Sequence, residues 1–199
     1  DRRLVPLFQR SFPGAEVGSH GDGLLGERPV RIFPWAREGG DPDFYLPMGT
    51  ALLHLRKKTA DFPRRAFLKA DSARRAQLRA RLETFGPGPY VGIGWRSMVL
   101  GSKRGKYFSA LDAWKPILST PGITFVNLQY GDMRDELRAG TARMGVRVHD
   151  CADLDLKNDI DGAAAVMAAC DLGISAPTAV AAVAGGLGKE IWILVSGRV

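Results

Sequence analysis

Residues 171–195 read DLGISAPTAVAAVAGGLGKEIWILV, and this stretch decides the fold. LGIS (172–175) and EIWILV (190–195) are short apolar runs of strand length, and TAVAAVAGGL (178–187) between them is a small-residue helix. Pro177 falls just before that helix or in its first turn, and Gly188 is placed to end it. Two strands joined through a helix run parallel, because a crossover connection cannot make a tight hairpin.

The same alternation extends toward the N-terminus. GAAAVMAAC (162–170) predicts a helix, VRVH (146–149) a strand, MRDELRAGTARM (133–144) a helix and ITFVNLQY (123–130) a strand. Before these come a helical region carrying Leu111, Trp114, Ile117 and Leu118, with Pro116 in a first turn or at a kink, and the apolar strand YVGIGW (90–95). Five strands alternating with helices predict an α/β, Rossmann-like parallel sheet with helices on both faces. Ligands of such sheets bind beyond the carboxyl ends of the strands.

Upstream the texture changes. Pro13, Pro29, Pro34, Pro42, Pro47 and Pro63 punctuate short elements, and LVPLFQRSF (4–12) and MGTALLHLRKK (48–58) are the helix candidates. DSARRAQLRARLE (71–83) is an Arg-laden helix with an Asp or Ser cap and apolar positions at Ala76, Leu78 and Leu82. GPGPY (86–90) cannot continue that helix and predicts a boundary, dividing the chain into 1–87 and 88–199.

A hydrophobic content of 45% in 199 residues supports a sizeable core. No apolar run reaches the roughly 18 residues of a membrane span, and no secretory leader is visible, so a soluble protein is expected. Asp1 in place of an initiator Met points to a fragment or a processed piece. Cys151 and Cys170 lack metal-ligand spacing and read as reduced, semi-buried thiols, which implies a reducing, cytoplasmic compartment.

The net charge is +7, and its excess sits early: 16 basic against 10 acidic residues through Gly88, 12 against 11 afterwards. A solvated Arg-rich helix face explains this, and docking to an acidic partner is the sharper reading. Nucleic acid is not expected, since no RNP-like aromatic pattern, zinc finger or helix-turn-helix accompanies the charge.

GIGWRS (92–97) lacks the third glycine of a dinucleotide fingerprint, and Trp95 and Arg96 replace the close-approach surface, so an NAD or FAD cofactor is excluded. Trp95, Arg96 and Ser97 are instead expected at the strand tip, with Lys103, Arg104 and Lys106 of GSKRGK on a glycine-bracketed loop. An Arg fork and mobile Lys charges suit a diphosphate. Facing them, the backbone N–H groups of Thr178, Ala179 and Val180 carry the positive end of a helix dipole. Gln129 and Tyr130 end a strand and either contact a base or sugar or simply finish the strand; Asp132 reads as the cap of the next helix. Asp159 and Asp161 read as caps or as ribose contacts, and the acidic run lacks the order of a calcium loop, so no metal is expected. His20, in GSHGDG with Asp22, is the weak candidate for a general base on a loop over the cleft; an exposed loop histidine is the alternative.

These same segments carry a resemblance. YVGIGWRS, KRGKYFSALDAWKPIL, FVNLQYGD, NDIDGAAAVMAACDLGIS and TAVAAVAGGLGKEIWIL resemble the C-terminal, nucleotide-sugar-binding half of GT-B glycosyltransferases. The likeness is to bacterial tetratricopeptide-repeat glycosyltransferases, themselves similar to O-GlcNAc transferases and heptosyltransferase-type enzymes. It covers Pro89 to the C-terminus strongly and the earlier residues weakly. The resemblance implies that residues 1–87 are the last portion of a smaller, acceptor-side lobe with a linker helix. It further implies that the donor diphosphate lies at Thr178–Val180, that Arg104 and Lys106 steady the leaving group without a metal, and that Gln129 and Tyr130 line the base side; Ser175 and Asp161 are counted with the expected donor site.

The pattern departs from the family in one place. Relatives carry an Asp before the Thr and a His four residues after it, where this chain has Pro177 and Ala182. The resemblance also implies a repeat region and early lobe upstream, and closing helices downstream.

The expected function is therefore metal-independent, inverting transfer of a sugar from a nucleotide donor to a protein, flagellin among the candidates, or to a glycan. The alternative is a catalytically degenerate binding module engaging an acidic protein partner.

Overall fold

The computed structural model describes residues 1–33, 36, 42–62, 64–98 and 108–195. Helix α1 (Val5–Ser11) carries Pro6 in its first turn, where a missing N–H leaves no bond unmade. Strands β1 (Gly21–Leu25) and β2 (Arg28–Ile32) pair as an antiparallel hairpin, turned at Gly26 with φ +62°. Asp22 thus lies in a strand rather than in a loop. Helix α2 (Met48–Leu55) has no buried residue.

Helix α3 (Ser72–Glu83) starts at Asp71, whose carboxylate accepts from the Arg74 amide at 2.8 Å, satisfying one of the unpaired first-turn donors. β3 (Tyr90–Gly94) follows the Gly and Pro residues of the predicted boundary. A 3-10 turn (Leu111–Trp114) runs into α4 (Lys115–Leu118), with Pro116 in its first turn. β4 (Thr124–Asn127), α5 (Arg134–Met144), α6 (Ile160–Ala169), β5 (Leu172–Ser175), α7 (Ala179–Gly186) and β6 (Ile191–Ile193) complete the order. Gly145 closes α5 in the left-handed region and Gly188 follows α7 there, both at φ +68°.

The strands β4-β3-β5-β6 form one parallel sheet. Its two faces bury separate clusters, which is what a strand covered on both sides requires. Val91, Ile93 and Trp95 point with Phe125 and Ile174 toward Trp114 and the α5 residue Leu137. Val126 and Leu128 pack on the other face against α6 and against Leu78 and Leu82 of α3. The core thus spans the boundary that the sequence suggests at 87/88. Leu7 of α1 extends it by packing with Leu68 and Ala164.

Two expectations need correction. VRVH forms no full strand: among the described residues only His149 pairs, in a parallel bridge to Val126, its amide donating to the Phe125 carbonyl at 2.8 Å and its carbonyl accepting from the Asn127 amide at 2.7 Å. Asp132 does not cap α5: the N-cap position is Met133, which makes no side-chain cap hydrogen bond.

The glycines of GIG serve packing. A Cβ at Gly92 would overlap Leu128, and one at Gly94 would press on Ser175 Oγ at 3.2 Å and Val180 Cγ2 at 3.5 Å. The bare strand tip therefore lets the first turn of α7 lie directly over β3. The small residues at the far end of α7 serve a different neighbour. Gly186 is crossed by the preceding segment, whose Phe67 and Leu68 amides donate to its carbonyl at 2.9 and 2.8 Å.

Candidate functional site

A cavity of about 780 Å³ opens beyond the carboxyl ends of the strands. One end is made by the residues after β3 and β4 and by the start of α7: Ser97, Met98, Leu128, Tyr130, Ala179 and Val180. The other end is α1 facing α6, through Leu4, Leu7, Phe8, Ile160, Ala163 and Met167. Arg3 and Lys157 stand with Asp1 around it.

Four of the residues expected from the sequence, Ser97, Tyr130, Ala179 and Val180, line this cavity. Lys103, Arg104 and Lys106 lie outside the described residues. The others hold the site together from behind, and the physical reason differs for each.

Trp95 is fully buried, and its Nε1–H donates to Glu136 Oε1 at 2.9 Å. It is a core residue, not a crevice wall. Arg96 turns to the same carboxylate: Nε donates to Glu136 Oε2 at 3.2 Å, and Nη2 pairs with it as well. Burial pushes the Glu136 carboxyl up, and the hydrogen bonds from Arg96 and Trp95 outweigh that and bring it below its ordinary value. The Arg96 guanidinium is thereby committed to α5, away from the cavity lining.

Gln129 is buried and braces two strand ends. Its Oε1 accepts from the Arg96 amide at 3.0 Å, and its Nε2 donates to the Arg96 carbonyl at 2.8 Å and to the Tyr130 carbonyl at 3.2 Å. This uses both amide functions on backbone, so Gln129 shapes the loop instead of reading a base. Asn127 continues the brace, accepting from the Gln129 amide at 2.9 Å and donating to Asp150 Oδ1 at 2.9 Å.

Asp161 is paired with Arg10, whose Nε also donates to the Lys69 carbonyl at 2.9 Å. It fastens α1 to α6. Asp159 caps α6 by accepting from Gly162 N at 2.7 Å and also pairs with Arg74.

Ser175 is fully buried, and its Oγ donates to the Ala176 carbonyl at 2.8 Å. At the head of α7, the Thr178 amide donates to the Ala176 carbonyl at 2.7 Å and the Val180 amide to Thr178 Oγ1 at 3.3 Å. Two of the three amides expected to seat a phosphate thus have acceptors within the protein. Among the described residues, none accepts from the Ala179 amide.

His20 does not line the cavity. It packs edge-on against Phe33 with ring centroids 6.5 Å apart, and among the described residues its buried Nδ1 has no hydrogen-bond partner.

Arg74, Arg79 and Arg81 of α3 pair with Asp159, Asp171 and Asp153. Both cysteines are free and buried, and burial pushes the Cys170 thiol up to about 12. In the acidic run, Asp155 accepts from the Lys157 and Asn158 amides at 3.0 Å each, so it shapes a turn. Among the described residues no His, Cys, Asp and Glu group could hold a metal ion, and no helix is long and apolar enough to cross a membrane.

Sequence reasoning missed the α1 wall and Lys157. The apolar spacing of Leu4, Leu7 and Phe8 marks a buried helix face, but its partner α6 lies some 150 residues away, as the Arg10–Asp161 separation of 151 shows.

No known family profile and no solved structure matches the chain. Among curated proteins, the chain is similar to Protein FlbA of Caulobacter vibrioides, with 41% identity over 195 residues. The match takes in 98% of this chain and 33% of FlbA, so the chain spans about a third of the length of that relative.

Proposed function

We propose that the cavity is the donor site of a glycosyltransferase that moves a sugar from a nucleotide-sugar to a protein or glycan acceptor, with inversion and without a metal. The observation that carries this reading is the position of the cavity, at the carboxyl ends of β3 and β4 and under the first turn of α7. The resemblance of the chain from Pro89 to its C-terminus to nucleotide-sugar-binding lobes supports it. In the proposed reaction an acceptor hydroxyl attacks the anomeric carbon, the bond from that carbon to the diphosphate oxygen breaks, and the hydroxyl proton passes to a general base. The departing charge meets the Ala179 amide at the positive end of α7.

The test is thermal unfolding in the presence of UDP-, CMP-, GDP- and ADP-sugars. At a hundredfold excess over Kd, the matching nucleotide raises the melting temperature by roughly 5–10 °C and the others leave it unchanged. The same curve with all four removes the donor site.

A second reading, donor binding without turnover, is favoured by one observation: Arg96 is held by Glu136 and the Thr178 and Val180 amides by the protein itself. Product analysis with the full-length protein separates the two. The pairing of Arg74, Arg79 and Arg81 within the chain removes those cations from any acidic partner.

A further inference from the structure

The two ends of the cavity differ in chemistry. At the sheet end stand the Ser97 and Tyr130 hydroxyls and the Ala179 amide. At the α1 end the walls are carbon: Leu4, Leu7 and Phe8 on one side, Leu156, Ile160 and Met167 on the other. A nucleotide, a diphosphate or a sugar placed there would lose hydrogen bonds to water and gain none from these side chains. An apolar group would gain roughly 25 cal/mol for each Å² it removes from water.

One cation at the rim makes no direct ion pair. Arg3 is neutralised by Asp1 at 2.6 Å and also donates to the Lys157 carbonyl at 2.9 Å. The Lys157 side chain is exposed and, among the described residues, makes no direct hydrogen bond or ion pair, its charge acting on the Asp155 carboxylate through space.

We infer that the α1 end of the cavity binds an amphipathic anion, with an aliphatic body between α1 and α6 and its anionic head at Lys157. This rests on the same cavity as the donor reading but not on sugar transfer. The cavity as a whole, about 780 Å³, lies in the range of small-molecule sites, about 300–1,000 Å³. The wall is also built to stay in place. Arg3 ties the start of the chain to Lys157, and Arg10 ties α1 to Asp161 and Lys69. Ser11 Oγ accepts from the Lys69 amide at 2.9 Å. An apolar slot held open by polar anchors outside it is preorganised for a ligand.

The test is calorimetric titration of the chain with dodecanoate, and with dodecyltrimethylammonium as the head-reversed probe. One dodecanoate is expected per chain, bound at least about fivefold more tightly than the ammonium probe. Lys157→Glu is expected to erase that preference and Lys157→Arg to keep it. Ala163→Phe, which fills the slot, is expected to abolish binding, while Leu53→Ser on the exposed helix α2 leaves it unchanged.

Equal affinity for the two heads overturns the proposal. So does wild-type binding by Ala163→Phe, or a stoichiometry above one that falls with Leu53→Ser. Should Ala163→Phe fail to fold, the exposed Lys157→Glu variant decides the matter. Nucleotide-sugars titrated into the same samples report the sheet end separately: dodecanoate binding without nucleotide binding overturns the donor reading alone, and the reverse overturns this one alone.

Discussion

Replacing Trp95 with alanine is expected to lower the unfolding free energy by about 3–5 kcal/mol, the range for removing a buried aromatic side chain from a core. Trp95 is fully enclosed in the cluster with Ile93, Leu111 and Trp114, so the neighbours cannot collapse into the space without moving the strand. The substitution also deprives Glu136 of a donor at 2.9 Å, leaving the carboxylate with Arg96. Trp95→Phe separates the two contributions. It keeps most of the apolar contact and loses the hydrogen bond, which costs about 1–2 kcal/mol.

Urea denaturation checks both variants through the midpoint at constant slope. The experiment also decides between two roles for this residue. A tryptophan lining the crevice, as the strand-tip position suggests, would change ligand binding and alter stability by less than about 0.5 kcal/mol on truncation.

The second large effect is expected at Asp159. This carboxylate caps α6 through the Gly162 amide and pairs with Arg74 of α3, so it joins the two helices that cover one face of the sheet. Asp159→Ala removes both interactions and costs about 2 kcal/mol, a figure kept low because both side chains of the pair are about a third exposed. Asp159→Asn retains the cap and loses the charge, and it costs about half as much.

The pH dependence has a definite sign. Burial raises the Asp159 carboxyl, and the hydrogen bonds from Arg74 and Gly162 outweigh it, bringing the folded value below the ordinary one. A depressed folded value contributes stability above the unfolded pKa of about 3.9, and this is lost as pH falls through the folded value. The advantage of the wild type over Asp159→Asn is therefore full at pH 7 and 5 and shrinks steadily below about pH 4. Glu136 and Asp171 are depressed on balance too and steepen the same acid limb in both proteins. Melting curves at pH 7, 5, 3 and 2 measure it; a gap that widens in acid would contradict the pairing.

Much of the fold was legible because its causes are local. The apolar runs at 90–94, 124–127 and 172–175 became buried strands. The helices after Asp71, Asp159 and Thr178 began where a short polar side chain can accept from the first turn. Gly188 followed α7 with positive φ, as its place in the sequence suggests. VRVH was less legible because a strand is defined by its neighbour: with a bridge to Val126 and nothing beyond, an apolar pattern alone does not make a ladder.

The site was legible in position and much less in composition. Its place beyond the strand ends follows from the alternation of strands and helices. Trp95, Arg96, Gln129 and Asp161 sit at the expected points of the chain, yet their side chains turn to Glu136, to two backbone segments and to Arg10. Those partners lie 41, 40, 33 and 151 residues away.

By itself the amino-acid order determined the alternation of strands and helices, the caps and turns, and the end of the sheet at which the cavity opens. These depend on backbone hydrogen bonding and on side-chain periodicities of two and 3.6 residues, which act within a few positions. Tertiary structure alone decided which polar groups face the cavity, which are consumed holding it together, and that α1 is one of its walls. A charged or apolar side chain has no preferred direction until distant segments pack against it, and the direction it then takes is set by the carboxylate, carbonyl or carbon surface they bring within reach.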